Sequence, residues 1–281
     1  MALLPIKDDN PLNRIQFQYV TVALIAACVA VFLWEVSLGD QRGRAIFGFG
    51  HIPAVLFGTR TLPPELEQIP AWLTLVTSMF LHGGWLHLGF NMLFLWVFGD
   101  NIEDALGHLR YLVFYVLCGV IGTLLHALAA PDSTVPLVGA SGAISGVLGA
   151  YLVLHPKARL LVLFMNIIPL RLPAVLVLLF WIGSQFFSLS QSGVGADTGG
   201  TAWLAHIGGF IAGMILVVPF RRKSVPLFDG IGRFAPVPEL ELVIDEEENR
   251  HRRSIFPNTY LPEPERPRHR RSVIPDSDGR S

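Results

Sequence analysis

Charge is what this sequence has least of. Only 15% of its 281 residues are Asp, Glu, Lys or Arg, against 52% hydrophobic, where a soluble globular domain carries about 25% charged residues. The charges it does have crowd into about the last sixty residues. A body this poor in charge is expected to be a polytopic membrane domain. It also has no basic stripe, which argues against nucleic acid as a partner; the net charge of −1 adds nothing in that direction. Cysteine is nearly absent. Cys28 and Cys118 both lie in apolar runs with no CxxC, and they read as small buried residues rather than as a disulfide or metal pair. No HExxH is present, which argues against a zinc protease acting within the membrane. The opening MALLPIKDDNPLNR has neither a signal-peptide layout nor an Arg/Ser-rich transit pattern. The first apolar run is therefore expected to stay as a helix, as in a bacterial-type plasma-membrane protein.

A helix needs about 20 apolar residues to cross a bilayer. Six runs approach this: Tyr19–Ser37, Leu86–Gly99, Leu109–Ala130, Ser141–Leu154, Leu172–Leu189 and Trp203–Phe220. The expected fold is all-α, a six-helix membrane domain over 19–222, with a cytoplasmic segment at 1–18 and a disordered cytoplasmic tail at 223–281. The second and fourth runs are short, and both begin with polar groups. Such helices can start below the surface, inside a water-filled cavity. With the N-terminus inside, Lys7, Arg14, Arg110, Lys157, Arg159, Arg171, Arg221, Arg222 and Lys223 fall on the inner side, and only Arg42, Arg44 and Arg60 outside. That bias predicts both termini in the cytoplasm. It puts the heads of the second, fourth and sixth helices together on the outer side.

The first outer loop, about Gly39 to Leu81, is long enough to need structure of its own. Phe47, Phe49, Ile52, Leu56 and Phe57 would let it dip into the interface. The fifth loop, Ser190 to Thr201, is either a plain linker or a lid. From about Val225 the composition is too polar for a core. The runs Leu240–Ile244 and Ser254–Tyr260 are places where a partner could bind in an otherwise solvated tail.

Polar residues inside apolar spans are functional suspects because they are costly there. Ser141 heads the fourth run within Gly139-Ala140-Ser141-Gly142, and His206 lies near the head of the sixth within Ala205-His206-Ile207-Gly208-Gly209. Gly142, Gly146 and Gly149 lie on nearly one helix face, and Gly209 and Gly213 form a GxxxG. These faces allow close helix approach, which would bring Ser141 within hydrogen-bond reach of His206. A serine paired with an imidazole is a nucleophile with its base. Backbone N–H groups at a helix start can hold developing negative charge. His87 and Asn91, four apart on one face of the second helix, can add donors to an oxyanion hole. The alternative use of His82, His87 and His206 is a metal or haem site, disfavoured by the lack of an acidic or thiolate ligand beside them. Glu103 is expected to tie a loop or cap the third helix. His126 and His155 read as interfacial. Trp181, Phe186 and Phe187 face either lipid or a lateral opening.

Together these residues resemble the rhomboid family of intramembrane serine proteases. The matches are His82 with His87-x3-Asn91, Gly99-x3-Glu103-x3-Gly107, Gly139-x-Ser141-Gly142, and Ala205-His206-x2-Gly209-x3-Gly213, in the family's order and across the membrane domain. The resemblance implies a six-helix fold with a cavity open to the outside. It also implies a Ser141–His206 dyad, an oxyanion hole from His87, Asn91 and the Ser141 N–H, and no cofactor. The implied partners are the lipid bilayer and single-pass or polytopic membrane-protein substrates, cleaved near or within their transmembrane segments. The fifth helix and its loop are the family's usual gate. A catalytically silent protein that binds transmembrane clients is the alternative. Two positions depart from the pattern. An aromatic found in some members four residues after the nucleophile is Ser145 here, leaving an aromatic such as Trp203 to orient His206. Trp72 is followed by Leu73, where some members have a Trp-Arg pair in the first loop.

Overall fold

The computed structural model describes residues 3–165, 167–192 and 203–228. Six long helices carry it: α1 (Tyr19–Ser37), α2 (Trp85–Leu106), α3 (His108–Ala129), α4 (Ser141–Leu154), α5 (Ala174–Ser192) and α6 (Trp203–Phe220). α1, α3, α5 and α6 are each long and apolar enough to cross a bilayer. α4 has 14 residues, about 21 Å at about 1.5 Å per residue, which is short of a hydrocarbon core of about 30 Å. Twelve of those 14 residues are buried, so α4 is the central post against which α2, α3, α5 and α6 pack. The chain is a helical membrane protein, as its composition demands.

The second helix is not short. It continues past Gly99 to Leu106, for 22 residues. The polar groups of its last turns are partnered by the N-terminal segment. Asp104 Oδ1 accepts from the backbone N–H of Arg14 and Ile15 at 2.5 and 2.7 Å. Asn101 donates to Asp8 Oδ2 at 2.7 Å and accepts from Asn10 at 2.6 Å. Glu103, with its side chain fully buried, accepts from the N–H groups of Val20 and Thr21 and from the Thr21 hydroxyl at 2.8–2.9 Å. It thus satisfies free N–H groups at the start of α1. It also meets His108 Nδ1, the first residue of α3, at 2.5 Å. The expectation was a loop tie or a cap on the third helix; the helix start whose N–H groups it caps is that of α1, and its contact with α3 is through the His108 side chain.

At this same end a small antiparallel sheet adds to the helical fold. β1 (Leu3–Asp8) pairs with β2 (Arg159–Phe164), which pairs with β3 (Ile168–Pro173), in the order β1-β2-β3. Leu3 stands opposite Phe164 and Asp8 opposite Leu160; Arg159 stands opposite Pro173 and Phe164 opposite Ile168. The sheet holds the start of α5, because Ala174 and Val175 donate to the carbonyls of Ala158 and Pro156 at 2.8 and 2.9 Å.

The first loop folds into short helices, among them Arg42–Phe49 and Pro53–Leu56. Phe47 and Phe57 are exposed, but Ile52 is buried, so Ile52 belongs to the loop's own core and does not dip outward. Phe49 packs edge-on against Trp34 at the end of α1. Arg42 ties the loop to the bundle: it pairs with the buried Glu35 of α1 at 3.4 Å and donates to the His82 carbonyl at 2.7 Å. Val225, expected at the start of the tail, is also buried. The fifth loop and the runs at 240–244 and 254–260 lie outside the described residues, apart from 190–192.

Candidate active site

The heads of α2, α4 and α6 meet around one cavity of about 790 Å³, and Ser141, His206, His87 and Asn91 all line it. Close helix approach makes the meeting possible. A Cβ at Gly209 would overlap the Gly142 carbonyl oxygen, one at Gly213 the Gly146 carbonyl, and one at Gly149 the Phe210 carbonyl. The neighbours are backbone atoms, so no side chain can swing aside. α4 and α6 lie as close as two backbones can, and the face predicted from the glycine spacing is the one in contact. α3 joins them, since a Cβ at Gly122 would meet the Ala205 carbonyl at 2.5 Å.

With the helices at this distance, Ser141 Oγ and His206 Nε2 are 2.7 Å apart. Ser141 is the first residue of α4, where helix N–H groups have no partner within the helix. Gly139, two residues earlier, has φ +124°, and a Cβ there would strike the His87 ring at 2.7 Å. Only glycine combines that backbone with room for the imidazole.

His87 Nδ1 accepts from the Gly83 N–H at 3.3 Å, which leaves its Nε2–H to donate. The Asn91 side-chain amide nitrogen is buried with no hydrogen-bond partner among the described residues. Buried donors are rarely left unmade, so this one stands ready for an acceptor in the cavity. His82 does not share that role. Its backbone N–H goes to Glu35 at 3.0 Å, its Nδ1–H to the Phe80 carbonyl at 3.1 Å, and its ring packs edge-on against His87. It props His87. Metal ligation is a poor fit for His206, whose two nitrogens are engaged by Ser141 and by Gln185 at 2.8 Å.

Gln185 is the residue that the sequence reading missed. It lies in α5, 5% exposed, and its Oε1 accepts from His206 Nδ1–H. The available signal was its being an amide inside an apolar span. Ser145, where an aromatic could have been, donates to the Ser141 carbonyl at 2.6 Å, a bond a helical serine makes to its own preceding turn. Trp203 lies edge-on to His206, with ring centroids 6.1 Å apart, and Trp181 lies at the same distance but tilted 36°. Trp181 therefore faces the site, while Phe186 and Phe187 are exposed on α5. Cys28 and Cys118 are buried free thiols.

The comparisons with known proteins point to one family. A family model described as the Rhomboid domain matches residues 70–223. The chain is 30% identical over 197 residues to Rhomboid protease GluP of Bacillus subtilis, covering 70% of this chain and 33% of that one. It is 34% identical over 197 residues to the mitochondrial RHOMBOID-like protein 6 of Arabidopsis thaliana, covering 67% and 56%. It is 28% identical over 176 residues to the mitochondrial Rhomboid protein 1 of Saccharomyces cerevisiae, covering 61% and 49%. The chain thus spans between a third and just over half of these relatives. The matched segment takes in α2 to α6 and every residue of the cavity described above, and on that match the chain belongs to the rhomboid family.

Proposed function

We propose that this protein is an intramembrane serine endopeptidase that cleaves transmembrane-segment substrates through a Ser141–His206 dyad. The observation that carries the reading is the 2.7 Å contact between Ser141 Oγ and His206 Nε2 inside a cavity. The similarity to a relative named as a rhomboid protease supports it. Ser141 Oγ attacks the scissile carbonyl while its proton passes to His206 Nε2. The oxyanion formed is held by the Ser141 N–H, His87 Nε2–H and Asn91 Nδ2. His206 then protonates the leaving amine as the C–N bond breaks, and water hydrolyses the acyl-enzyme with His206 again as base. The dyad has no carboxylate behind it, so turnover is expected to be slow. In this reading the lysine and arginine bias places both termini in the cytoplasm and the cavity on the outer side. α5 is the gate for lateral entry, and the membrane domain is 19–222.

Purified protein in detergent or liposomes should cleave a reporter carrying a helix-destabilised transmembrane segment, and Ser141→Ala should remove all cleavage. A fluorophosphonate probe should label the wild type at Ser141 only. Cleavage that survives S141A ends the dyad reading. Binding of the reporter with neither cleavage nor labelling in the wild type would favour the silent client-binding protein instead.

A further inference from the structure

We infer that Gln185 is the positioning residue for the general base, taking the place an aromatic neighbour or a carboxylate holds elsewhere; the inference rests on the Ser141–His206 reading above. A base that accepts the serine proton through Nε2 must carry its own proton on Nδ1, and something must hold that tautomer. Gln185 Oε1 does so at 2.8 Å. Which end of the amide faces the imidazole is fixed by its other contacts. Nε2 of Gln185 donates to the Trp181 carbonyl at 3.3 Å and to Ser184 Oγ at 3.1 Å, both on its own helix. Ser184 Oγ in turn donates to the Trp181 carbonyl at 2.6 Å. With its donors engaged along α5, the amide can present only its oxygen to His206. The Trp181 and Trp203 rings flank the imidazole, so the ring is confined by packing and its rotation is set by one acceptor. Ser145 cannot supply that acceptor, because its hydroxyl is turned back onto the Ser141 carbonyl.

The acceptor is neutral and it sits on a different helix from the residue it orients. A neutral amide fixes the tautomer but adds little charge stabilisation to the imidazolium. Its loss should therefore act on the chemical step and leave substrate binding largely alone. Because it belongs to α5, the bond exists only while α5 is seated against α6.

The test compares wild type, S141A, Gln185→Met and Gln185→Glu in detergent, reading reporter cleavage and the rate of fluorophosphonate labelling at Ser141. Q185M keeps the length of the side chain and removes the acceptor. It is expected to lower kcat and the labelling rate by 10- to 100-fold, with KM within about 2-fold and the melting temperature close to wild type. Q185E restores an acceptor and is expected to recover most of the labelling rate. Q185M that labels and turns over like wild type, or Q185E that is folded yet as slow as Q185M, overturns the inference. Should Q185M not fold, the pH–rate profile of Q185E decides. The other titratable groups near His206 are His87 and His126, and both are unchanged in the variant. An ionisable acceptor against Nδ1 gives the profile a different lower limb, and a profile identical to wild type overturns the role. If wild type itself is not labelled at Ser141, the dyad reading fails instead, and the two failures are told apart.

Discussion

Asn91 and Glu103 lie on the same helix and do opposite work. Asn91 keeps a donor unmade at the cavity that Ser141 also lines, while Glu103 has its carboxylate filled at the far end of α2. Replacing Asn91 with Ala removes one proposed oxyanion donor. A loss of about 100-fold in kcat is expected, with little change in melting temperature; a variant as fast as wild type would take Asn91 out of the hole. Replacing Glu103 with Ala strands several buried donors and should cost about 3 kcal/mol. That corresponds to a fall of roughly 10 °C in melting temperature, while the folded fraction still labels at Ser141 at the wild-type rate. That Ser141, His206, His87 and Asn91 would meet around one cavity was legible because polar atoms in an apolar run need a reason. Gln185 met the same criterion but has no distinctive neighbours in sequence, and its partner is 21 residues away on another helix. Glu35 likewise needed the fold, since Arg42 and the His82 backbone explain it only once the loop is in place.

Between helices the glycines decide the geometry. A Cβ at Gly209 has only backbone atoms of Gly142 to push against, so Gly209→Ala must separate α4 from α6. It is one turn from His206, and Gly142 adjoins Ser141. A misplacement of about 1 Å costs about 100-fold in rate, and a loss of that order in Ser141 labelling is expected for G209A, together with a lower melting temperature. Gly183→Ala on α5 is the control, because a Cβ there meets nothing within 4 Å; it should behave as wild type. Wild-type labelling by G209A would show that helix distance does not set the dyad. The glycine periodicity made this interface readable in advance. The true length of α2 was not readable, because hydropathy treats Asn101, Glu103 and Asp104 as the end of a span, when their partners are backbone and side-chain groups some eighty to ninety residues earlier in the chain.

Across the whole molecule, the N-terminal segment is bound into the bundle at the end opposite the cavity. Asp8 of β1 accepts from Asn101 of α2 and Tyr151 of α4 at 2.7 and 2.8 Å. Burial pushes its carboxyl up from the ordinary 3.8 to about 6, with the Tyr151 hydrogen bond opposing the rise. A folded value above the unfolded one means that the native state binds the proton more tightly. The resulting stability is fully present below about pH 3.8 and is lost as pH rises through about 6. Asp8→Asn keeps an acceptor for both partners and removes the charge. At pH 7.5 it should raise stability by about 1 kcal/mol, allowing for the solvent that reaches a partly exposed group. The gain should vanish near pH 4; melting curves at both pH values that show an equal shift would sink this account. The sequence by itself determined the membrane class, the positions of the helices, the α4–α6 contact face and four residues of the site, because hydrophobic periodicity and the cost of burying polar atoms act locally along the chain. Only the tertiary structure decided what holds His206, which helix Glu103 caps, how far α2 runs and where the N-terminal strand pairs. In each of these, a polar group is satisfied by a partner on another element, and that partner exists only once the helices have packed.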